Sequence, residues 1–224
     1  MGLIGSGLTI ICGHYGCGKT NLSINLAIDA ADGGGRKTTL VDMDIVNPYF
    51  RSSDYADLLN SKGVKLIAPV YARSSIDLPM IAPEINGIWD SGGTVIIDVG
   101  GDGVGAAVLG RYADKIEAMG YDMLYVVNRY RNLSTTAKEA IDLMREIEEA
   151  SHLRATGIVN NSHLMYDTVE ETIAHAAGFA EETARAARLP LRGTVAPRFL
   201  QVQGTVTADY YVDIHVRPPW TYGT

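Results

Sequence analysis

Cysteine is scarce in this chain of 224 residues, which contains only Cys12 and Cys17. Two cysteines so close together are neither the disulfide framework of a small secreted domain nor a complete metal site. The N-terminal residues also lack the charged start and apolar centre of a secretory signal. We therefore expect reduced thiols and a cytoplasmic protein.

Basic residues and long apolar runs are also in short supply. Lys and Arg number 19 against 26 Asp and Glu, which gives a formal net charge of −7. A nucleic-acid surface needs clustered positive charge, so we expect no nucleic-acid partner. No apolar run reaches the roughly 18 residues of a membrane-spanning helix. Pro218 and Pro219 also prevent a basic amphipathic helix at the C-terminus, so no membrane partner is expected.

What the chain does have is a regular alternation of short apolar runs with helix-compatible segments. This alternation predicts one α/β domain over residues 1–224, a three-layer sandwich with a mostly parallel sheet of about seven strands. The predicted strands are 8–12, 38–42, 64–67, 94–98, 123–127, 156–159 and 191–195, with a further short strand from Tyr210. The predicted helices are 21–31, 53–61, 106–119, 134–150 and 168–187, with Ser134 and Thr168 as caps of the last two.

The most specific motif is GHYGCGKT, which fits the phosphate-binding pattern GxxxxGK[ST] and lies between the first predicted strand and helix. In such a loop, backbone N–H groups converge on a phosphate at the positive end of the helix. Lys19 is expected to reach the β- and γ-phosphate oxygens, and the Thr20 hydroxyl to ligate Mg²⁺. The candidate nucleotide contacts here are Gly13, His14, Tyr15, Gly16, Cys17, Gly18, Lys19, Thr20 and Asn21.

Acidic residues end two of the predicted strands. Asp42 and Asp44 alternate at the end of the second strand, and Asp98 ends the fourth, directly before Gly100 and Gly101. Asp42 and Asp98 are candidate Mg²⁺ ligands together with Thr20, and Asp44 is the candidate for orienting an attacking water. The glycines allow the backbone to approach a γ-phosphate and to move when it leaves.

This order of motifs resembles the MinD/ParA group of P-loop ATPases, over most of the chain. The resemblance implies a P-loop NTPase fold that binds ATP and Mg²⁺. It also implies slow hydrolysis that switches a homodimer or an interaction with a client protein. Residues 98–102 are similar to the second switch of the nitrogenase iron protein, in which both acidic positions face the nucleotide. By that likeness Asp102 joins Lys19 and Asp44 as a catalytic candidate.

The same resemblance suggests how the base is recognised. The family reads adenine with an Asn at a strand end and with a later Pro-containing loop, and Asn160 and Pro197 occupy comparable places. Asn128 is the second choice of Asn, and an Asn at a strand end is also a common turn former. No guanine-reading Asn-Lys-x-Asp motif is present. ATP is therefore favoured over GTP.

The chain departs from the family at two informative positions. His14 stands where the family's signature lysine reaches across a dimer, and a histidine carries only part of a charge at neutral pH. Arg51, Arg73 or Arg129 of a second subunit are the candidates to replace that lysine. Gly105 stands where related redox ATPases carry a cluster-binding cysteine, so no iron–sulfur cluster is expected.

Two other classes of function stay open. A small-molecule kinase or an ATP-dependent ligase on the same scaffold would need an acceptor pocket over Arg51 and Arg73. A nucleotide-sensing module would bind ATP with negligible turnover, consistent with the missing lysine. Segments 49–53 and 71–75 each combine an aromatic residue with Arg and hydroxyl groups. They are the candidate contacts for a client protein or a substrate.

Overall fold

The fold is built around one sheet of eight strands in which every pair of neighbours is parallel. The computed structural model describes residues 3–4, 7–33, 37–44, 55–69, 83–89, 92–101, 103–132, 135–204 and 206–216. The strand order across the sheet is β3-β2-β4-β1-β5-β6-β7-β8. The strands are β1 (Leu8–Gly13), β2 (Thr38–Met43), β3 (Val64–Ile67), β4 (Thr94–Val99), β5 (Asp122–Val127), β6 (Gly157–Asn160), β7 (Leu191–Pro197) and β8 (Tyr210–Val212).

The central strands are apolar because helices cover both of their faces. All residues of β1 and β2 are buried, although alternate side chains of a strand point to opposite faces. Leu8 and Ile10 belong to the core on one face of the sheet, and Ile11 belongs to the core on the other. A sheet buried on both faces favours the continuous apolar runs seen in the sequence over an alternating pattern.

The helices complete a three-layer sandwich. Helices α1 and α2 pack on one face of the sheet, and α3 to α6 supply the core on the other face. The helices are α1 (Lys19–Asp32), α2 (Ala56–Ser61), α3 (Gly103–Gly110), α4 (Ala113–Met119), α5 (Ala137–Ser151), α6 (Glu170–Ala187) and α7 (Arg198–Gln203). The predicted fold class is confirmed. The further short strand expected from Tyr210 is β8, which pairs with the end of β7.

Two predicted helix features need correction. The segment 106–119 forms two helices, because the chain turns after Gly110, which packs closely against the end of α5. Thr168 does not cap α6; its hydroxyl donates to the Met165 carbonyl at 2.6 Å and so holds a 3-10 turn before the helix. The cap of α5 is Thr136, whereas Ser134 lies outside the described residues.

Parallel strands place the site at one edge of the sheet. The phosphate loop follows β1, and the acidic residues lie at the ends of β2 and β4, so all of them meet where the strands have their carboxyl ends. Over the described part of the chain, no helix combines the length and apolar character needed to cross a membrane.

Candidate nucleotide site

The phosphate loop has a backbone that only glycine accommodates at two positions. Gly13 has a φ of 146° and Gly18 a φ of 90°. A Cβ atom on Gly13 would collide with the Val126 carbonyl, and one on Gly18 would collide with the side-chain amide of Asn161. Close approach and positive φ therefore both require glycine, and the loop is fixed against β5 and the chain after β6.

The Lys19 ammonium group lies inside the loop. Its Nζ donates to the His14 carbonyl at 3.1 Å, and the residue is only 7% exposed. The same nitrogen lies 5.9 Å from the centre of the Tyr15 ring. A compact ammonium placed over a loop of backbone amides at the start of α1 makes an anion-binding site.

Two buried carboxylates stand side by side next to this loop. Asp42 and Asp98 are register partners on the neighbouring strands β2 and β4. Asp42 Oδ1 accepts the N–H of Asp44 at 2.9 Å, which folds the end of β2 back on itself. All three carboxylates are buried, and Asp98 is 1% exposed. So much buried negative charge near a lysine indicates a site for a cation and a polyphosphate.

The electrostatics of Asp98 agree with a cation site. Burial raises its pKa to about 6, while the Lys19 ammonium and the Thr20 hydroxyl lower it and Asp44 raises it. Asp98 Oδ1 is buried and finds no hydrogen-bond partner among the described residues. A buried carboxylate oxygen without a hydrogen-bond partner is a suitable ligand for a hard cation such as Mg²⁺. Thr20, Asp42 and Asp98 all carry oxygen donors of the kind that this ion prefers.

Protein side chains alone would not complete the coordination of that cation. Across the described ranges, no group of at least three His, Cys, Asp or Glu side chains is arranged to hold a metal ion. Mg²⁺ in proteins usually keeps several waters and shares phosphate oxygens of the substrate. The residues present therefore fit a magnesium ion that arrives with a nucleotide.

The glycines after β4 touch the phosphate loop directly. A Cβ atom on Gly101 would lie 2.7 Å from the backbone nitrogen of Tyr15, and one on Gly100 would lie 3.2 Å from Asp44 Oδ1. Gly105 is also required to be small, since its Cβ would come within 2.8 Å of Gly100 Cα. The segment predicted to respond to a γ-phosphate thus contacts the loop. Asp102, the second candidate for water activation, lies outside the described residues.

A cavity opens beside the loop and extends toward the ends of β5, β6 and β8. It combines the polar groups of the loop with an apolar side formed by Met165, Ile214 and Val216. Its remaining lining residues are Tyr15, Gly16, Gly18, Lys19, Thr20, Asn21, Asp44, Asn128, Arg131, Asn161 and His163. Gly13, His14 and Cys17 support the loop without lining this cavity.

The polar groups on the far side of the cavity come from the chain after β6. Asn161 Nδ2 donates to the Cys17 carbonyl at 2.7 Å, which leaves its buried Oδ1 without a partner in the described structure. His163 Nδ1 accepts the N–H of Met165 at 3.2 Å, and its buried Nε2 is likewise unpartnered there. Burial, and secondarily Arg131, lowers the pKa of His163 to about 4, so the ring is neutral at pH 7. Its proton then lies on Nε2.

The residues expected to read the base need correction. Asn160 is buried away from the cavity, where its Oδ1 accepts the N–H of Ser162 and its Nδ2 faces the Thr194 hydroxyl at 3.4 Å. Pro197 ends β7, in register with Val212, and also does not line the cavity. Asn128, Asn161 and His163 are the residues near the ends of β5 and β6 that line the cavity with amide or imidazole side chains.

The structure also places three of the basic residues around the loop. Burial, and secondarily Lys19, lowers the pKa of His14, so this residue does not replace the charge of the missing lysine. Arg129 extends away and donates to the His175 carbonyl at 3.0 Å. Arg131 instead lines the cavity, and its side chain contacts the loop at Gly16. Spacing alone did not distinguish these two arginines.

The remaining sequence candidates fall on other parts of the chain. Cys12 and Cys17 are free, and burial raises the pKa of both thiols. They are therefore neutral at pH 7 and unsuited to nucleophilic chemistry. Arg51, Arg73 and the segments 49–53 and 71–75 lie outside the described residues.

Comparisons with known proteins support the fold. No protein-family model matches the chain, and no curated protein matches it. Among solved structures, FtsY from Mycoplasma mycoides is 14% identical with a TM-score of 0.54, covering 84% of this chain and 59% of FtsY. The cell division protein FtsY from Thermotoga maritima is 17% identical with a TM-score of 0.53, covering 86% and 62%.

A third solved structure contains a nucleotide. The signal recognition particle 54 kDa protein from Aeropyrum pernix, in complex with GDP, is 17% identical with a TM-score of 0.52, covering 84% of this chain and 40% of that protein. This chain thus spans between two fifths and about three fifths of the length of these structures. At such low identity the likeness concerns the fold, and the chain has the α/β fold of the P-loop nucleoside triphosphatases.

Proposed function

We propose that this chain binds Mg-ATP and hydrolyses it slowly, as a nucleotide-dependent switch of the MinD/ParA type. The observation that carries the proposal is the position of Asp42, Asp44 and Asp98 around Lys19 and Thr20. Magnesium, when bound, would supply positive charge that neutralises the phosphates. Thr20, Asp42 and Asp98 would hold it, while Lys19 and the loop amides would position the phosphates.

Asp44 is the residue we assign to water activation. It lines the cavity together with Lys19 and Thr20, and its carboxylate lies next to Gly100. A carboxylate there orients the attacking water and accepts its proton. Contact between Gly101 and the loop gives hydrolysis a path to move the segment after β4. That movement would switch a homodimer or a client interaction.

The choice of ATP over GTP rests on the sequence. The chain lacks a guanine-reading Asn-Lys-x-Asp motif. The similarity to a GDP complex makes GTP the alternative to be tested.

Nucleotide binding is tested with Lys19→Ala. We expect the wild type to bind Mg-ATP more tightly than Mg-GTP in calorimetry, and Lys19→Ala to lose roughly a hundredfold in affinity for both. Lys115→Ala is the matched control, because Lys115 lies on α4 against Trp89, remote from the loop. Unchanged affinity in Lys19→Ala would contradict nucleotide binding at this loop, and tighter GTP binding would contradict the choice of adenine.

Turnover is tested separately with Asp44→Asn. We expect this variant to keep its affinity for Mg-ATP within a few fold and to lose phosphate release by about a hundredfold. Asp114→Asn is the matched control, because it removes the same charge from the first turn of α4. A wild type that binds Mg-ATP without releasing phosphate would instead indicate a nucleotide sensor.

A further inference from the structure

The residues that follow β8 leave the sheet and cross helix α1. We name residues 213–216 the strap. Asn21 Nδ2 donates to the Asp213 carbonyl at 3.0 Å, and Asn21 Oδ1 accepts the N–H groups of His215 at 2.8 Å and Val216 at 3.1 Å. The side chain of a single helical residue thus satisfies three backbone groups of the strap.

Asn25 repeats this arrangement one helical turn later. Its Nδ2 donates to the Asp213 carbonyl at 2.9 Å, and its Oδ1 accepts the Asp213 N–H at 2.8 Å. Asn25 is 3% exposed and lies outside the cavity lining. A buried amide that forms a reciprocal pair with a peptide group replaces the hydrogen bonds of a neighbouring strand. The strap is therefore held to α1 by side chains.

The strap forms the apolar side of the cavity through alternate residues. Ile214 and Val216 both line the cavity, as expected for positions two apart in an extended segment. Its outer side is held by Arg198, whose Nε lies 3.2 Å from Asp213 Oδ2. Asn21 directly follows Thr20 in the first turn of α1. The same turn therefore supports the phosphate site and the strap.

We propose that the strap is the nucleoside-binding wall of the site and that Asn21 and Asn25 hold it in the binding position. Binding of the nucleoside and docking of the strap then stabilise each other. Asn25 is a positioning residue, since it acts on the nucleoside through Ile214 and Val216. This inference rests on the proposed nucleotide site.

The test uses the full chain in the presence of Mg²⁺. It compares the binding of two probes, ATP and inorganic tripolyphosphate. Tripolyphosphate reports on the phosphate loop alone, and ATP reports on the loop and the strap. We expect Asn25→Ala to weaken ATP binding about tenfold, because the Asp213 N–H loses its partner and the Asp213 carbonyl keeps only the donor from Asn21. Its affinity for tripolyphosphate should equal that of the wild type. Thr183→Ala is the control, since it removes a buried hydrogen bond within α6 at the Phe179 carbonyl.

The outcomes separate this inference from the proposed function. Equal weakening of both probes in Asn25→Ala would overturn the inference and reveal a purely structural role for Asn25. A wild type that binds the two probes equally well would also overturn it, while leaving the phosphate site in place. A wild type that binds neither would overturn the proposed function itself.

A second variant covers the case in which Asn25→Ala fails to fold. Ile214→Ala shortens the apolar wall and leaves every residue of α1 and of the phosphate loop unchanged. We expect it to weaken ATP binding several fold and to leave tripolyphosphate binding unchanged, because only apolar contact with the nucleoside is lost. Unchanged ATP binding in Ile214→Ala would overturn the inference independently of Asn25.

Discussion

At the scale of single residues, the positive charge at the cavity comes from Lys19 and Arg131, among the residues that the structure describes. Lys19 Nζ sits inside the loop, and the Arg131 side chain contacts the loop at Gly16. His14 contributes no comparable charge, since burial lowers its pKa. An arginine in the same chain supplies transition-state stabilisation in some P-loop enzymes, where it takes the place of a residue donated by a partner.

We predict that Arg131→Ala slows ATP hydrolysis by at least about tenfold, because one of the two cations at the cavity is lost. The matched control is Arg129→Ala, since Arg129 lies two residues away and donates to the His175 carbonyl on α6. Phosphate release at saturating Mg-ATP is the measurement. Equal effects of the two variants would show that Arg131 has no special role.

His163 gives the stability of the protein a specific dependence on pH. Its pKa is lowered to about 4, chiefly by burial, from an ordinary value of 6.5. Between these two values the unfolded chain binds more protons than the native state. The contribution of neutral His163 to the free energy of unfolding is therefore fully present above pH 6.5 and is lost as the pH falls toward 4. The nearby positive charge of Arg131 acts in the same direction.

The predicted effect of His163 is measurable by urea unfolding without nucleotide. Between pH 7 and pH 4.5, the wild type should lose about 2 kcal/mol more stability than His163→Gln, which has no imidazole to protonate. His175→Gln alters an exposed histidine on α6 and should follow the wild type. Parallel curves for the wild type and His163→Gln would mean that the buried imidazole does not resist protonation.

At the scale of secondary-structure elements, the strands and the loop motif were predictable, while the residues at which several elements begin or end were not. Apolar runs of four to six residues before each motif became β1 to β7, because a parallel sheet covered on both faces demands them. The break within 106–119 depends on contact between Gly110 and the end of α5. That contact joins distant parts of the chain, so local spacing did not indicate it.

The base-reading residues show the same limit at the end of β6. Asn160 and Asn161 are consecutive, and consecutive residues of a strand point to opposite sides. The sequence therefore indicated an amide at this strand end without indicating which one faces the loop. The structure places Asn161 against the Cys17 carbonyl and Asn160 against β7. His163 showed no signal in the sequence, because its role depends on the cavity around it.

Helix α5 offers a prediction about its own N-terminus. The Thr136 hydroxyl accepts the Glu139 N–H at 3.2 Å, and Glu139 Oε2 accepts the Thr136 N–H at 3.1 Å, which together form a capping box. Thr136→Ala should lower the free energy of unfolding by about 1 kcal/mol, since a helix donor loses its acceptor. Urea denaturation measures the change.

The control for the cap lies on the same helix. Lys138 and Asp142 form an exposed pair at 2.6 Å, and Lys138→Ala should leave stability almost unchanged, because water screens the pair. An effect of Thr136→Ala as small as that of Lys138→Ala would indicate that α5 is held by packing alone. Neither Thr136 nor Lys138 lines the cavity, so neither variant should alter nucleotide affinity.

At the scale of the whole molecule, the cavity unites parts of the chain that are far apart in sequence. Residues of the phosphate loop, Asn128, His163 and the strap line one space, because the parallel sheet brings the ends of β1, β5, β6 and β8 to the same edge. The parallel topology was predictable, and with it the meeting of the motifs. The strap was not, since its attachment depends on side chains of α1 some 190 residues earlier.

The two edges of the sheet should therefore respond differently to nucleotide in hydrogen exchange. Among the described strands, β3 lies at one edge and β8 at the other, and both should exchange by local opening, faster than β1 and β4 at the centre. Mg-ATP should slow exchange at His215 and Val216, whose N–H groups bind Asn21 Oδ1, and leave Lys65 of β3 unchanged. Lys19→Ala should abolish the difference. Equal slowing at both edges would instead indicate general stabilisation, and no slowing in the strap would mean that it does not sense the nucleotide.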